Sequence, residues 1–148
     1  MNLIQLFYSS LPAVPFGSRE LIDILEPSRS NNKRDAITGM LAFSGTAFLQ
    51  ALEGDQDMVN RTFTRISGDK RHRDVQLIGV LHPAERQFPA WTMGLAGFKS
   101  FRRELVEKYS ASGELHGGSL LPDSARALLI ELASKEARPD PAPSPGSN

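Results

Sequence analysis

The chain has 148 residues, which is enough for one domain with a single hydrophobic core. Its 17 basic residues balance 17 acidic residues, so the net charge gives no electrostatic argument for binding nucleic acid or an anionic membrane. Cysteine is absent, which excludes disulfides, thiolate metal sites and cysteine nucleophiles.

Three further expectations follow from the sequence. The three histidines, His72, His82 and His116, are scattered without the spacing of metal ligands, so no metal site is predicted. No apolar run approaches the ~20 residues of a membrane-spanning helix. The N-terminus leads directly into the apolar residues 3–7, with no basic region or cleavage site, so we expect a soluble cytoplasmic protein.

The first predicted strand is Leu3–Ser9, in which alternate residues share a face. One face carries Ile4, Leu6 and Tyr8, and the other carries Leu3, Gln5 and Phe7. The stretch Leu11–Gly17 contains two prolines and a glycine, which predicts a loop.

A first helix is predicted to follow, with Ser18 as its N-cap and Glu20 in its first turn. Its inner stripe begins apolar and ends polar, and consists of Leu21, Leu25, Ser28 and Asn32. Pro27 lies inside this helix and is expected to kink or interrupt it.

Two strands and a second helix come next. The strands are Ile37–Phe43 and Ala47–Leu52, and the short Ser-Gly-Thr link between them predicts a hairpin. Gly54 ends the second strand, Asp55 is the expected cap of the helix, and Gly68 ends it. The apolar stripe of this helix is formed by Val59, Phe63 and Ile66, with Arg65 beside it.

The polar run Asp69–Asp74 predicts a loop before a fourth strand, Val75–Leu81. A second loop, His82–Ala90, leads to a fifth strand at Trp91–Phe98. Alternation along this last strand predicts one face shared by Trp91, Met93 and Leu95.

The character of the chain changes after Phe98, so we expect three parts: residues 1–98, a helical cap at 99–137 and a disordered tail at 138–148. The cap contains a short helix, Phe101–Tyr109, and an amphipathic helix, Asp123–Glu136, whose inner side is Leu128, Leu129 and Leu132. We expect the second helix to cover the sheet face that carries Leu3, Phe7 and Leu49, either in its own chain or across a dimer.

The element order β-α-β-β-α-β-β predicts an α+β fold of the ferredoxin-like, split βαβ type. Both helices of that pattern pack on one face of a mostly antiparallel sheet. They would flank a groove bordered by Asn32 and Arg65, with Tyr8 and Gln50 projecting from the sheet beneath.

Gln50 carries the first functional hypothesis. Alternation places its amide on the apolar face of Phe48 and Leu52, where an unpaired amide would cost roughly 1–3 kcal/mol. Taken alone, a buried Gln bonded to backbone explains it. Core packing likewise explains Tyr8, Trp91 and Met93 singly, and C-capping explains Asn31 and Asn32.

Several motifs taken together are more specific. In chain order they are Tyr8-Ser9-Ser10, Ser28-Arg29-Ser30-Asn31-Asn32, Ile37-Thr38-Gly39, Phe48-Leu49-Gln50-Ala51-Leu52-Glu53-Gly54, Asp69-Lys70-Arg71-His72 and Phe88-Pro89-Ala90-Trp91-Thr92-Met93-Gly94. In this order and spacing, residues 3–98 resemble the BLUF family of blue-light sensors that use FAD, in its short single-domain form.

The resemblance implies that a flavin lies between the two helices. It implies that Asn32 and Asn31 hold the ring carbonyl edge and the phosphate region, and that Arg65 and Asp69 hold the ring and ribityl chain. The remaining residues that the resemblance assigns to cofactor binding are Ser28, Gln50, Arg71 and His72. It further implies photochemistry at Tyr8 and Gln50 and signal relay through Trp91 and Met93.

The function indicated is a photoreceptor that carries out no net reaction and signals to a protein partner, as a homo-oligomer (a dimer or higher) and without nucleic acid or membrane. Two alternatives stay open: a flavin-dependent oxidoreductase, and a cofactor-free ferredoxin-like interaction domain. The sequence has no Gly-rich dinucleotide fingerprint, so a Rossmann mode of binding is not indicated.

Overall fold

The computed structural model describes residues 1–15, 17–96, 103–118 and 120–136. The elements in these ranges are, in order, β1 (Leu3–Pro12), α1 (Ser18–Arg34), β2 (Thr38–Phe43), β3 (Phe48–Asp55), α2 (Gln56–Ser67), β4 (His72–Leu81), β5 (Gly94–Ala96), α3 (Arg103–Glu107) and α4 (Pro122–Glu136). The predicted tail, the predicted boundary at Phe98 and the predicted helix start at Phe101 lie outside the described residues. None of the described helices is long and apolar enough to cross a membrane.

The five strands form one sheet in the order β4-β1-β3-β2-β5. β3 runs antiparallel to both of its neighbours, β1 and β2, and β4 runs antiparallel to β1. Only the short β5 pairs in parallel, on β2. Because β3 lies between β1 and β2, the unit β1-α1-β2 is a split βαβ crossover, and the predicted α+β class is confirmed.

Each strand separates two hydrophobic layers because successive side chains point to opposite faces. On the face that carries Tyr8, here called the front face, Leu6 and Leu52 pack with residues of both α1 and α2. The helices contribute Leu21 and Leu25 from α1 and Val59 from α2. Both helices therefore cover the same face, as predicted, and a groove runs between them.

The opposite face, here called the back face, carries Phe7 and Leu49. It is covered by the C-terminal segment of the same chain, through Leu128, Leu129 and Leu132 of α4. The start of α4 approaches β4 closely, because a Cβ added to Gly79 would lie 2.4 Å from Pro122 Cγ. The expectation that this helix docks on the second face is therefore met within one chain.

A polar bridge also joins the C-terminal segment to the sheet. The Nδ1 of His116 is hydrogen-bonded to the buried Ser9 Oγ at 2.8 Å, and its Nε2 lies 2.8 Å from Asp74 Oδ2. Ser9 follows Tyr8 in β1, so adjacent residues of one strand serve the front and back faces.

Helix α1 differs from its prediction at two points. Its N-cap is Gly17 rather than Ser18, and Gly17 donates its backbone N–H to Glu20 Oε2 at 2.9 Å. The helix continues through Pro27 to Arg34 without interruption. The buried stripe of Leu21, Leu25 and Asn32 is as predicted.

Two strand boundaries were predicted wrongly for one shared reason. β1 continues to Pro12 and β4 begins at His72, where a loop was expected, because Leu11 and Pro12 pair with Arg73 and His72. β4 lies at the edge of the sheet, so charged side chains such as Arg73 and Asp74 remain exposed on it. A polar run is therefore compatible with this strand.

The fifth strand was also placed wrongly at its start. β5 begins at Gly94, so Trp91 and Met93 precede it and do not follow its alternation. Met93 packs in the front-face cluster, whereas Trp91 packs against the back-face cluster. The predicted common face for Trp91 and Met93 is therefore wrong.

Candidate functional site: a groove between α1 and α2

A cavity of about 120 Å³ lies between α1 and α2 above β3. Its lining includes these of the predicted cofactor-binding residues: Ser28, Asn31, Asn32, Gln50, Arg65, Asp69 and Arg71. The eighth, His72, lines a smaller cavity of about 30 Å³ together with Tyr8 and Met93. The two cavities adjoin, because Gln50 and Asp69 border both.

The floor of the groove is a hydrogen-bonded chain of three side chains. Tyr8 and Gln50 are direct partners in the β1–β3 register, which brings their side chains together on the front face. The Tyr8 hydroxyl donates to Gln50 Oε1, and Gln50 Nε2 donates to Met93 Sδ at 3.1 Å. All three side chains are buried, so the amide satisfies both of its ends inside the protein.

The environment keeps the Tyr8 phenol neutral. Complete burial raises the pKa of Tyr8 far above its ordinary value, and the carboxylate of Asp69 raises it further. The ring of Phe63 lies 5.3 Å from the ring of Tyr8 between centroids. Tyr8 therefore holds its proton, and its hydroxyl can donate only to the group placed beside it, which is Gln50.

The polar end of α1 contacts the segment before β5. Asn32 Nδ2 donates to the backbone carbonyl of Thr92 at 2.7 Å, and Arg29 Nε donates to that of Met93 at 3.0 Å. Sequence reasoning did not single out Arg29 as a site residue. The signal was available, because Arg29 continues the spacing i, i+4, i+7 from Leu25 to Asn32.

A charged group closes the groove at the start of β4. Arg71 Nη2 lies 2.6 Å from Asp69 Oδ2, and this hydrogen bond holds the pKa of Asp69 below its ordinary value. Burial lowers the pKa of the neighbouring His72, whose Nδ1 is hydrogen-bonded to Ser10 Oγ at 2.9 Å. The site thus pairs an ionised carboxylate with an imidazole that favours its neutral form.

Trp91 lies apart from this site. Its ring packs edge-on against Phe88, with 6.3 Å between centroids, on the back-face side of the sheet. The structure therefore brings Tyr8, Gln50 and Met93 together but leaves Trp91 outside.

The donor set of the groove fits the flavin that the resemblance implies. Amide and guanidinium donors at Asn31, Asn32 and Arg65 suit ring nitrogens and carbonyl oxygens, and Leu52 and Ile66 supply apolar walls that sequence reasoning had not named. Both cavities are smaller than the roughly 300–1,000 Å³ of a typical ligand pocket. A ring system must therefore displace side chains, and Arg65 is an exposed residue of the lining.

Comparison with known proteins gives a consistent result. The family model described as "BLUF: Sensors of blue-light using FAD" matches residues 3–94. The photoactivated adenylate cyclase subunit beta of Euglena gracilis is 34% identical over 93 residues, which are 62% of this chain and 11% of that protein. The blue light- and temperature-regulated antirepressor BluF of Escherichia coli (strain K12) is 30% identical over 91 residues, 61% of this chain and 21% of that protein. The chain thus matches only a small part of these relatives.

Solved structures extend the similarity beyond the matched domain. The photo-activated state of BlsA aligns with a TM-score of 0.77 at 26% identity, covering 92% of this chain and 98% of that one. The dark state of BlrB, a BLUF protein, aligns with a TM-score of 0.70 at 25% identity, covering 91% and 98%. Fold, family match and groove agree, and the chain belongs to the BLUF family, the sensors of blue light using FAD.

Proposed function

We propose that the chain is a photoreceptor that binds FAD between α1 and α2 and signals by rearranging the hydrogen bonds of Gln50. The observation that carries this proposal is the buried chain from Tyr8 through Gln50 to Met93 at the floor of the groove. Asn32, Asn31 and Ser28 from α1 and Arg65, Asp69, Arg71 and His72 from the other wall would hold the cofactor.

When bound, FAD would supply blue-light absorption and an excited state able to accept an electron. Tyr8 would be the residue that gives up this electron and regains it, so that no net redox change results. The Tyr8 hydroxyl is hydrogen-bonded to Gln50 Oε1, so its proton passes to that oxygen as the electron leaves the ring. When electron and proton return to Tyr8, the amide relaxes in a rotated or tautomerised form.

A rotated Gln50 changes its contact with Met93. In the arrangement seen here, Nε2 donates to the Met93 sulfur. Rotation would place the carbonyl oxygen against the same sulfur, which cannot donate a hydrogen bond. We expect the Met93 side chain to move in response, and the backbone from Thr92 to β5 to carry the change outward.

The burial of Tyr8, Gln50 and Met93 favours a sensor over a flavin-dependent oxidoreductase. Tyr8, Gln50 and Met93 fill the end of the groove where a substrate would have to approach. The output we propose is a changed contact with a protein partner or with a second copy of the chain. The relatives are named a cyclase subunit and an antirepressor, so output differs within the family.

An absorbance spectrum recorded before and after blue light tests this proposal. We expect a yellow protein whose flavin bands shift to the red on illumination and return in the dark. A colourless protein with no extractable flavin would support the cofactor-free interaction domain instead. A flavin that is bleached by an added electron donor and turns over substrate would support the oxidoreductase.

A further inference from the structure

A buried carboxylate lies on β3, three residues after Gln50, and the light reaction proposed above does not use it. The Glu53 side chain is 0% exposed. Side chains alternate between the two faces along β3, so Glu53 lies on the back face with Leu49 and Ala51, opposite to Gln50. No ion pair involves Glu53 among the described residues, so its charge must be satisfied by other groups.

Every hydrogen-bond partner of this carboxylate is a donor. Two are side chains: Gln5 Nε2 at 2.7 Å and Thr38 Oγ1 at 3.2 Å. Two are backbone N–H groups of the loop between β4 and β5, those of Gln87 at 2.5 Å and Phe88 at 2.7 Å. An ionised carboxylate accepts at both oxygens and never donates, so it is the one side chain of this size that suits all four.

The orientation of Gln5 supports this reading. Its amide nitrogen donates to Glu53, while its own Oε1 is buried without a hydrogen-bond partner among the described residues. An unpaired buried carbonyl is unfavourable. The amide nevertheless keeps the orientation that serves Glu53, because the flipped amide would place an oxygen against the carboxylate.

The loop held by Glu53 leads directly to residues 91–93, the segment that contains Met93. Phe88 accepts the backbone N–H of Trp91 at 3.2 Å, and the Trp91 carbonyl accepts that of Gly39, on β2, at 3.0 Å. Two residues later, Met93 accepts the Gln50 amide at its sulfur. Met93 is thus held from two sides. Arg29 of α1 donates to its backbone carbonyl, and the loop that precedes it is bound by Glu53.

We propose that Glu53 is a positioning residue of the light reaction, whose carboxylate fixes residues 87–93 and so holds the Met93 sulfur within reach of the Gln50 amide. This inference rests on the proposed photoreceptor function. It concerns a residue on the opposite face of the sheet from the flavin groove, which touches neither the cofactor site nor Gln50. Loss of the carboxylate should therefore act on Met93 through the loop.

The test compares Glu53→Gln with Glu85→Gln, which makes the same chemical change at an exposed site in the same loop. The amide of Glu53→Gln must turn its NH₂ group toward a donor, so at least one loop N–H loses its acceptor. In flavin-free protein we expect hydrogen exchange at the amides of Gln87 and Phe88 to accelerate about tenfold or more. Trp91, the single tryptophan of the chain, should become more accessible to a fluorescence quencher.

In flavin-loaded protein, we expect Glu53→Gln to change the dark-recovery rate by about threefold or more. Glu53→Asp, which keeps the charge on a shorter side chain, should restore part of the wild-type rate, and Glu85→Gln should match the wild type. A merely structural residue would alter exchange and stability but leave recovery unchanged, and that result overturns the proposal.

Unchanged exchange at Gln87 and Phe88 in Glu53→Gln also overturns the proposal. If Glu53→Gln does not fold, the dark-recovery rate of Glu53→Asp tests the proposal instead. The shorter aspartate side chain lengthens the contacts with the loop N–H groups. A wild-type recovery rate in Glu53→Asp therefore counts against a positioning role. A wild-type protein that binds no flavin is a different failure, which removes the proposed function. Exchange at the loop amides is still measurable in that case.

Discussion

The two ends of the Gln50 amide meet different neighbours. Its oxygen accepts from the Tyr8 hydroxyl, and its nitrogen donates to the Met93 sulfur. A hydroxyl can serve as donor or acceptor, whereas a thioether only accepts. The two orientations of the amide are therefore unequal in energy, and a switch at this residue requires Met93 to adjust.

Replacement of Gln50 by Leu tests its role directly. Gln50→Leu keeps roughly the volume of the side chain and removes every hydrogen bond that it makes. We expect a folded protein that retains flavin but shows no light-induced absorption shift in difference spectra. Gln76→Leu, on β4, is the matched control and should behave as wild type. A normal photocycle in Gln50→Leu would remove this residue from the mechanism.

Tyr8→Phe deletes one oxygen and little packing, since the ring stays in the buried front-face cluster. We expect a flavin-loaded protein that is inactive under blue light in the same difference spectra. The other tyrosine supplies the control: Tyr109 donates to Glu131 Oε2 at 2.7 Å in the C-terminal segment, and Tyr109→Phe should keep the photocycle. A wild-type yield in Tyr8→Phe would show that the donor lies elsewhere.

Whether the place of a residue could be predicted from the sequence depended on how far apart the contacting residues lie along the chain. Strand alternation placed Tyr8 and Gln50 on one face, because side-chain direction in a strand is set locally. The spacing of Arg29 on the inner side of α1 was visible in the sequence, but its partner, a backbone carbonyl 64 positions away, was not. Trp91 was misplaced because tertiary contact with Phe88, and not strand alternation, decides where its ring packs.

Among the elements, α1 does more than form one wall of the groove. Its buried Asn32 reaches the carbonyl of Thr92, next to Met93, so the helix that would hold the flavin also holds the segment that would report its state. Under the proposed function, cofactor binding and signal output therefore share one helix end. The helix keeps this geometry although Pro27 removes one backbone donor from its interior.

Asn32→Ala tests the two contacts of this side chain, one with the Thr92 carbonyl and one with the proposed flavin, and leaves the other side chains of α1 unchanged. It removes the amide that Thr92 accepts and a predicted flavin contact, at a cost of typically ~1–3 kcal/mol. We expect lower FAD occupancy after gel filtration, whereas Lys33→Ala, exposed on the same helix, should retain the cofactor. Unchanged occupancy in Asn32→Ala would argue that this helix end does not face the ligand.

β4 and α4 meet where β4 lacks a side chain. Gly79→Ala would place its new Cβ 2.4 Å from the rigid ring of Pro122, so the start of α4 must move. We expect faster hydrogen exchange in α4 and a loss of about 1–3 kcal/mol in the free energy of unfolding, as in other overpacked contacts. Flavin retention should stay at the wild-type level, because the groove lies on the other face.

Gly68→Ala is the control for this substitution. A Cβ at Gly68 meets only Arg65 O at 3.7 Å and Thr64 O at 3.8 Å, which is ordinary contact. Equal exchange in α4 for the two alanine variants would show that α4 does not depend on the fit at Gly79.

Element prediction succeeded where periodicity is strong and failed at strand ends. The stripes of α1 and α2 and the β2–β3 hairpin follow from local spacing, and the structure confirms them. β4 begins earlier than expected because pairing with Leu11 and Pro12 extends it into a charged run. Pairing of this kind is not encoded in either segment alone, so single-sequence patterns miss it.

At the scale of the whole molecule, the half-buried imidazole of His72 links stability to pH. Burial lowers the pKa of His72 below the ordinary value of about 6.5, so the unfolded chain binds this proton more readily than the folded one. The stability that neutral His72 contributes is fully present when the pH is above this ordinary pKa of about 6.5. It is lost as the pH falls from there through the lower, folded pKa.

We therefore expect the melting temperature of the flavin-free protein to fall between about pH 7 and about pH 5.5, and to fall less in His72→Gln. Differential scanning fluorimetry at fixed ionic strength measures both slopes. His82→Gln, at an exposed site, should keep the wild-type slope. Equal slopes for wild type and His72→Gln would show that other groups set the pH dependence.

The cover of the back face by α4 has a consequence for protein engineering. The front face carries the groove proposed to bind the chromophore, while the back face meets its neighbour through an apolar surface around Phe7 and Leu49 and through the contact of Ser9 with His116. Under the proposed function, light detection and the cover of the back face use different residues, and we expect residues 1–96 to accept another leucine-rich helix without redesign of the groove. Such chimeras are expected to keep the spectrum of the parent, which makes the back face of the sheet a starting point for engineering the proposed photoreceptor.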